Sequence, residues 1–266
     1  MRFDSLSIEK NKLIEIRKEL YGSNKPGFYI LKNFISDQFV KHMRSFWNME
    51  AYKSRTHIHL PESFNKADLF YYNCPNYFYK TPYGHAYYNY FWNNPTDETT
   101  HSVSFAVNYA RNIIESNNNY EFFYPVNGNC CSYRIVTTMN GSPVKPHTDW
   151  TEGEYFVPRR LQATLFLSKK GIDYTGEGMK MMSNDKKTRY IFDSDEVNLN
   201  PGDLILWRYN NEHSVENINT LNDQDGFMRI IYPPEIIGEK PRDLILADFT
   251  ARELANRLFQ KIKNKF

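Results

Sequence analysis

A chain of 266 residues that is 41% hydrophobic and 16% aromatic has material for one large core, and it contains no apolar run long enough to cross a bilayer as a helix. Its 33 lysines and arginines against 31 acidic residues leave a net charge of +2, without the basic excess of a phosphate-backbone binder, so neither nucleic acid nor membrane is expected as a partner. The cysteines, Cys74 and the adjacent Cys130 and Cys131, have the spacing of neither a zinc site nor a disulfide framework; with the mixed-charge start Met1 to Leu6, they suggest free thiols in a cytoplasmic protein.

Apolar positions Leu6, Leu13, Ile16 and Leu20 predict an amphipathic helix over about 5 to 21, closed by Gly22 to Gly27. Phe28 to Leu31 reads as a strand. Ser36 then stands where an N-cap belongs, before the helical spacing of Phe39, Met43, Phe46 and Trp47. The stretch Phe70 to Trp92 is crowded with aromatic residues and interrupted by Pro75, Pro82 and Gly84, so an ordered loop is expected, either packed over the core or forming a wall of a substrate site. A further helix is expected over about 101 to 116, with Val103, Val107, Ala110 and Ile114 on one stripe.

From Tyr133 the period becomes that of strands: Tyr133 to Thr138, Leu161 to Leu167, Met179 to Met182, Arg189 to Phe192, Asp203 to Trp207 and Phe227 to Tyr232. Asn140-Gly141, Gly176-Glu177-Gly178 and Pro201-Gly202-Asp203 supply turns, and this spacing suggests a sandwich or jelly roll. Thr250 and Glu253 form a capping box for a last helix carrying Leu254, Leu258 and Ile262. The expected organisation is one domain, with a helical and aromatic-rich segment at 1–125, a β core at 126–235 and a C-terminal helix at 236–266.

The chemistry gathers in the β half. In an extended His147-Thr148-Asp149 the imidazole and carboxylate share a face, and His213, just beyond the strand Asp203 to Trp207, is the candidate for a third ligand. Two imidazoles and a carboxylate suit Fe(II) and leave coordination positions open. Arg229, an arginine among apolar strand residues, needs an anionic partner and has the planar fork that grips a carboxylate. On Leu161 to Leu167, Gln162 and Thr164 share the polar face and are candidate hydrogen-bond partners of a bound cosubstrate, with Tyr133 a further one. Each also has a plainer reading as satisfied core polarity. His57-Ile58-His59 lacks a completing ligand, His42, His85 and His101 read as structural or exposed, and Arg159 and Arg160 as residues of a solvated loop.

The ordered set His147-Thr148-Asp149, Pro201 to Trp207, His213-Ser214-Val215 and Arg229 resembles the Fe(II)/2-oxoglutarate dioxygenase superfamily over roughly residues 133 to 232, and Gly27 to Ser36 resembles the opening of the phytanoyl-CoA dioxygenase-like branch. The resemblance implies a mostly β protein with flanking helices, folded as a double-stranded β-helix (a cupin-like jelly roll). It also implies that Fe(II), 2-oxoglutarate and O2 are used to hydroxylate a small-molecule substrate, with His147, Asp149 and His213 on the metal. Family members that halogenate have a small residue where this chain has Asp149, so hydroxylation or a derived desaturation is the implied outcome. The alternatives are a cupin-like metal enzyme that needs no keto acid and a non-catalytic jelly-roll binding module.

Overall fold

The computed structural model describes residues 9–53, 77–81, 84–92, 95–117, 122–123, 129–141, 144–149, 161–208, 210–216, 218–221 and 226–236. The expected C-terminal helix, His57-Ile58-His59, Cys74, Arg159 and Arg160 lie outside them. Helix α1 (Lys10–Tyr21), strand β1 (Phe28–Leu31) and helix α2 (Asp37–Lys53) follow the expected order. Ser36 directly precedes α2, and its carbonyl accepts from the amides of Phe39 and Val40. Where an ordered loop was expected, β2 (Tyr77–Thr81) and β3 (Gly84–Tyr90) pair as an antiparallel hairpin. Only Pro82 and Tyr83 separate the two strands in sequence, so the residues that break a longer element serve here to punctuate a hairpin.

Helix α3 (Glu98–Glu115) starts earlier than its apolar stripe, because the Asp97 side chain accepts from the Thr100 amide at 2.8 Å and caps it. Burial pushes the Asp97 carboxyl up, but bonds from His42 and from the Thr100 hydroxyl and amide outweigh that and hold it below the usual value.

The remaining strands are β4 (Asn129–Thr138), β5 (Val144–His147), β6 (Leu161–Phe166), β7 (Tyr174–Thr175), β8 (Gly178–Met182), β9 (Arg189–Ile191), β10 (Leu204–Arg208), β11 (His213–Glu216), β12 (Asn219–Thr220), β13 (Phe227–Ile231) and β14 (Pro234–Ile236). The large antiparallel sheet runs β1-β10-β6-β13-β4-β3-β2, with β14 beside β4; the smaller one runs β5-β11-β8-β9. A short β12-β7 pair lies apart from both.

Strand β6 explains the layering. Leu161, Ala163 and Leu165 join a core with Ile16 and Leu20 of α1, Val40, Met43 and Trp47 of α2, and Val103, Val107 and Ile114 of α3. Phe166 belongs to a second core with Ile205 and Trp207 of β10 and Met179, Met181 and Val215 of the smaller sheet. The helices therefore cover one face of the large sheet and the smaller sheet covers the other, which is the expected jelly roll with flanking helices.

The Pro201-Gly202-Asp203 turn fixes where β10 begins. At Gly202, with φ +92°, a Cβ would lie 2.7 Å from the Ile35 carbonyl, so no larger residue fits. Asp203 accepts from the amides of Asn33 (2.8 Å) and Asn200 (2.9 Å) and from Lys32 Nζ (3.0 Å), tying the end of β1 to the start of β10.

Candidate metal centre

His213 and His147 are direct register partners on β11 and β5, with ring centroids 4.4 Å apart. Strand β5 ends at His147, so strand alternation does not align Asp149 with it; Asp149 reaches back from the bend that follows. Its Oδ1 lies 3.6 Å from His147 Nε2 and its Oδ2 3.7 Å from His213 Nε2. The three ligand atoms lie within 4.8 Å of one another.

The tautomers follow from the partners. His147 Nδ1 is 2.7 Å from the Lys145 carbonyl and His213 Nδ1 is 3.1 Å from the Asn211 carbonyl. A carbonyl only accepts, so each Nδ1 carries the proton and each Nε2 presents a lone pair to the centre of the cluster. Burial holds the His213 imidazole below its ordinary value, against the pull of Asp149. Two imidazoles beside a carboxylate form a donor set suited to a divalent iron.

Gln162 lies next to this cluster, its Nε2 donating to Asp149 Oδ2 at 3.0 Å. Further along the same face of β6, Thr164 pairs with Ile205 and Ile231, and Phe166 pairs with Arg229. From Gln162 to Phe166 this path covers about 13 Å of strand. Arg229 is buried at its far end. Its Nη1 donates to Thr138 Oγ1 at 3.0 Å and to the Phe227 carbonyl at 3.3 Å, and among the described residues no carboxylate pairs with it. Burial lowers its pKa to about 10.

Several buried polar atoms beside this path also lack a partner: Gln162 Oε1, Thr164 Oγ1 and Trp207 Nε1. Native interiors leave few polar groups unpaired, so a cationic guanidinium and a row of such atoms fit a polar, anionic ligand between Arg229 and the His-Asp-His cluster.

Tyr133 is a correction. Its hydroxyl bonds His101 Nδ1 at 3.0 Å and its ring lies in the helix-side core, because it shares a face with Ile135. Thr138 and Trp207 were missed, since threonine and aromatic residues in strands read simply as good strand formers. Arg229 is on β13, separated from the His213 strand β11 by the short β12. Gly27 to Ser36, which carries the phytanoyl-CoA-branch resemblance, forms β1 and the approach to α2.

No family model matches the sequence, and no curated protein matches it. Solved structures do. A prolyl-4-hydroxylase from Pseudomonas putida is similar at 12% identity and a TM-score of 0.52, covering 86% of this chain and 100% of its own. The non-haem alpha-ketoglutarate-dependent carbocyclase SnoK, from nogalamycin biosynthesis, is similar at 13% identity and a TM-score of 0.50, covering 88% of this chain and 85% of its own. The chain therefore has the fold of the Fe(II)/2-oxoglutarate-dependent oxygenases.

Proposed function

We propose that the protein is an oxidoreductase that uses Fe(II), 2-oxoglutarate and O2 to hydroxylate a small-molecule substrate. The observation that carries this reading is the pairing of a His147, Asp149 and His213 cluster with a buried Arg229 that has no anionic partner among the described residues. His147, Asp149 and His213 would hold the iron, and Arg229 would take the distal carboxylate of the keto acid in a charge-assisted bond. Thr164 offers a hydroxyl along the way. Once bound, the metal and keto acid supply the oxidising power, with the keto acid decarboxylated to succinate.

The chain's own contribution is positional. The imidazoles are held by the Lys145 and Asn211 carbonyls, and the apolar residues between the sheets back the buried side of the site, while His147 stands at its exposed edge. With iron bound, Asp149 would fill a coordination position that a halide could otherwise take, which supports hydroxylation or desaturation. Among the described residues no helix is long and apolar enough to cross a membrane.

Anaerobic titration tests the metal: wild type takes up one equivalent of Fe(II), and His147→Ala or His213→Ala loses it. Oxygen uptake that depends on 2-oxoglutarate, followed by a substrate panel scored for succinate and for a product heavier by one oxygen, tests the reaction. Full iron affinity in either histidine variant, or turnover without a keto acid, would overturn the reading.

A further inference from the structure

Asp149 turns both of its oxygens toward the histidines at nearly equal distances, 3.6 Å from Oδ1 to His147 Nε2 and 3.7 Å from Oδ2 to His213 Nε2. A carboxylate placed this way is free to chelate a metal through both oxygens. Chelation would take up a coordination position that a bidentate keto acid and dioxygen need on an octahedral ion. One contact distinguishes the two oxygens: Gln162 Nε2 donates to Oδ2 at 3.0 Å and leaves Oδ1 without that bond.

Gln162 is suited to hold this bond. It sits on β6, an interior strand of the large sheet between β10 and β13, and is 6% exposed, whereas Asp149 lies on a bend. Its register partner is Trp207, so the two side chains stand beside each other on the same face. Gln162 Oε1 is a buried acceptor without a partner, and Trp207 Nε1 is a buried donor without one. A carboxylate on a metal only accepts, so the NH2 belongs on the Asp149 side.

We infer that Gln162 is a positioning residue that occupies Asp149 Oδ2, restricts Asp149 to one metal bond through Oδ1, and so keeps positions open for the cosubstrates. This rests on the reading of His147, Asp149 and His213 as the metal ligands.

The test uses Co(II) alone as the probe and needs no turnover. Gln162→Met keeps an unbranched side chain of similar length and removes the donor. It is expected to change the visible absorption of the bound ion, because the freed Oδ2 joins the coordination shell, without weakening Co(II) binding by more than about twofold, while the circular dichroism spectrum stays that of wild type. In an Asp149→Ala background the same change should leave the absorption of the bound ion unaltered, because the group Gln162 acts through is gone. An equal spectral change in both backgrounds, an unchanged spectrum in Gln162→Met, or a loss of affinity without a spectral change would overturn the role. If wild type binds no Co(II), or His147→Ala and His213→Ala bind it undiminished, the metal assignment itself fails, and this inference fails with it.

Discussion

Arg111 and Arg229 are both buried arginines, but they belong to opposite faces of the large sheet and their surroundings differ. Arg111, on α3 in the helix-covered layer, donates to the carbonyls of Tyr232 (2.6 Å) and Leu161 (3.3 Å), to Cys131 Sγ (2.7 Å) and to Asn108 Oδ1. It ties a helix to strand β6 and to the chain just beyond β13. Arg229 faces the interior between the sheets and spends one nitrogen on Thr138 and Phe227. Burial alone therefore does not identify a binding group. What separates the clamp from the socket is how many of the guanidinium's five donors the protein itself satisfies.

Breaking the clamp should have the largest effect. Arg111→Met leaves two backbone carbonyls and the Asn108 side chain buried without their donor, and a loss of about 3–5 kcal/mol is expected in chemical denaturation. A loss under about 1 kcal/mol would mean that water or neighbouring side chains replace the arginine and that the contrast is empty.

The same substitution at the socket should act in the opposite sense on the ligand-free protein. Arg229 is held at a depressed pKa of about 10 by burial, so its charge costs stability at neutral pH, and that cost is relieved only as the pH climbs past the folded value. Arg229→Met should leave the ligand-free protein as stable as wild type, or more stable by up to about 1–4 kcal/mol. With Co(II) present, 2-oxoglutarate at a hundredfold excess over its Kd should stabilise wild type by about 2.7 kcal/mol and the variant hardly at all. An equal thermal shift in both proteins would remove Arg229 from the site.

The smallest effect sharpens the comparison. Thr138→Val deletes the hydroxyl that orients Arg229 Nη1 but keeps the guanidinium. The expected cost is about 1 kcal/mol in 2-oxoglutarate binding by calorimetry, roughly fivefold in Kd, with Co(II) binding untouched. An unchanged Kd would show that the arginine is oriented by its strand and the Phe227 ring alone.

How much of this was legible in the sequence depended on whether a residue broke the local pattern. His147, Asp149 and His213 stood out because they are polar groups beside apolar strand runs, and Arg229 because a charge interrupts Phe227 to Ile231. Thr138 and Trp207 conform to strand composition, so nothing local separates them from core. Strand β5 was not anticipated because all of its residues are exposed and it contains Pro146; it is an edge strand, where proline is tolerated and alternation has no face to bury. The β2-β3 hairpin was obscured by its aromatic density, and its place beside β4 follows from long-range pairing that no window of sequence reports.

The Asp203 staple and the β1-β10 pairing also bear on how the chain reaches this fold during synthesis. Phe28 to Leu31 are made well before their partners, Leu204 to Trp207. At about 5–20 residues per second that interval is roughly 10–35 s, during which an apolar strand has no edge to join. Pairing at such sequence separation is slow even in a finished chain. The nascent protein is therefore expected to be a chaperone client, with a yield that rises when translation is faster through the segment between β1 and β10.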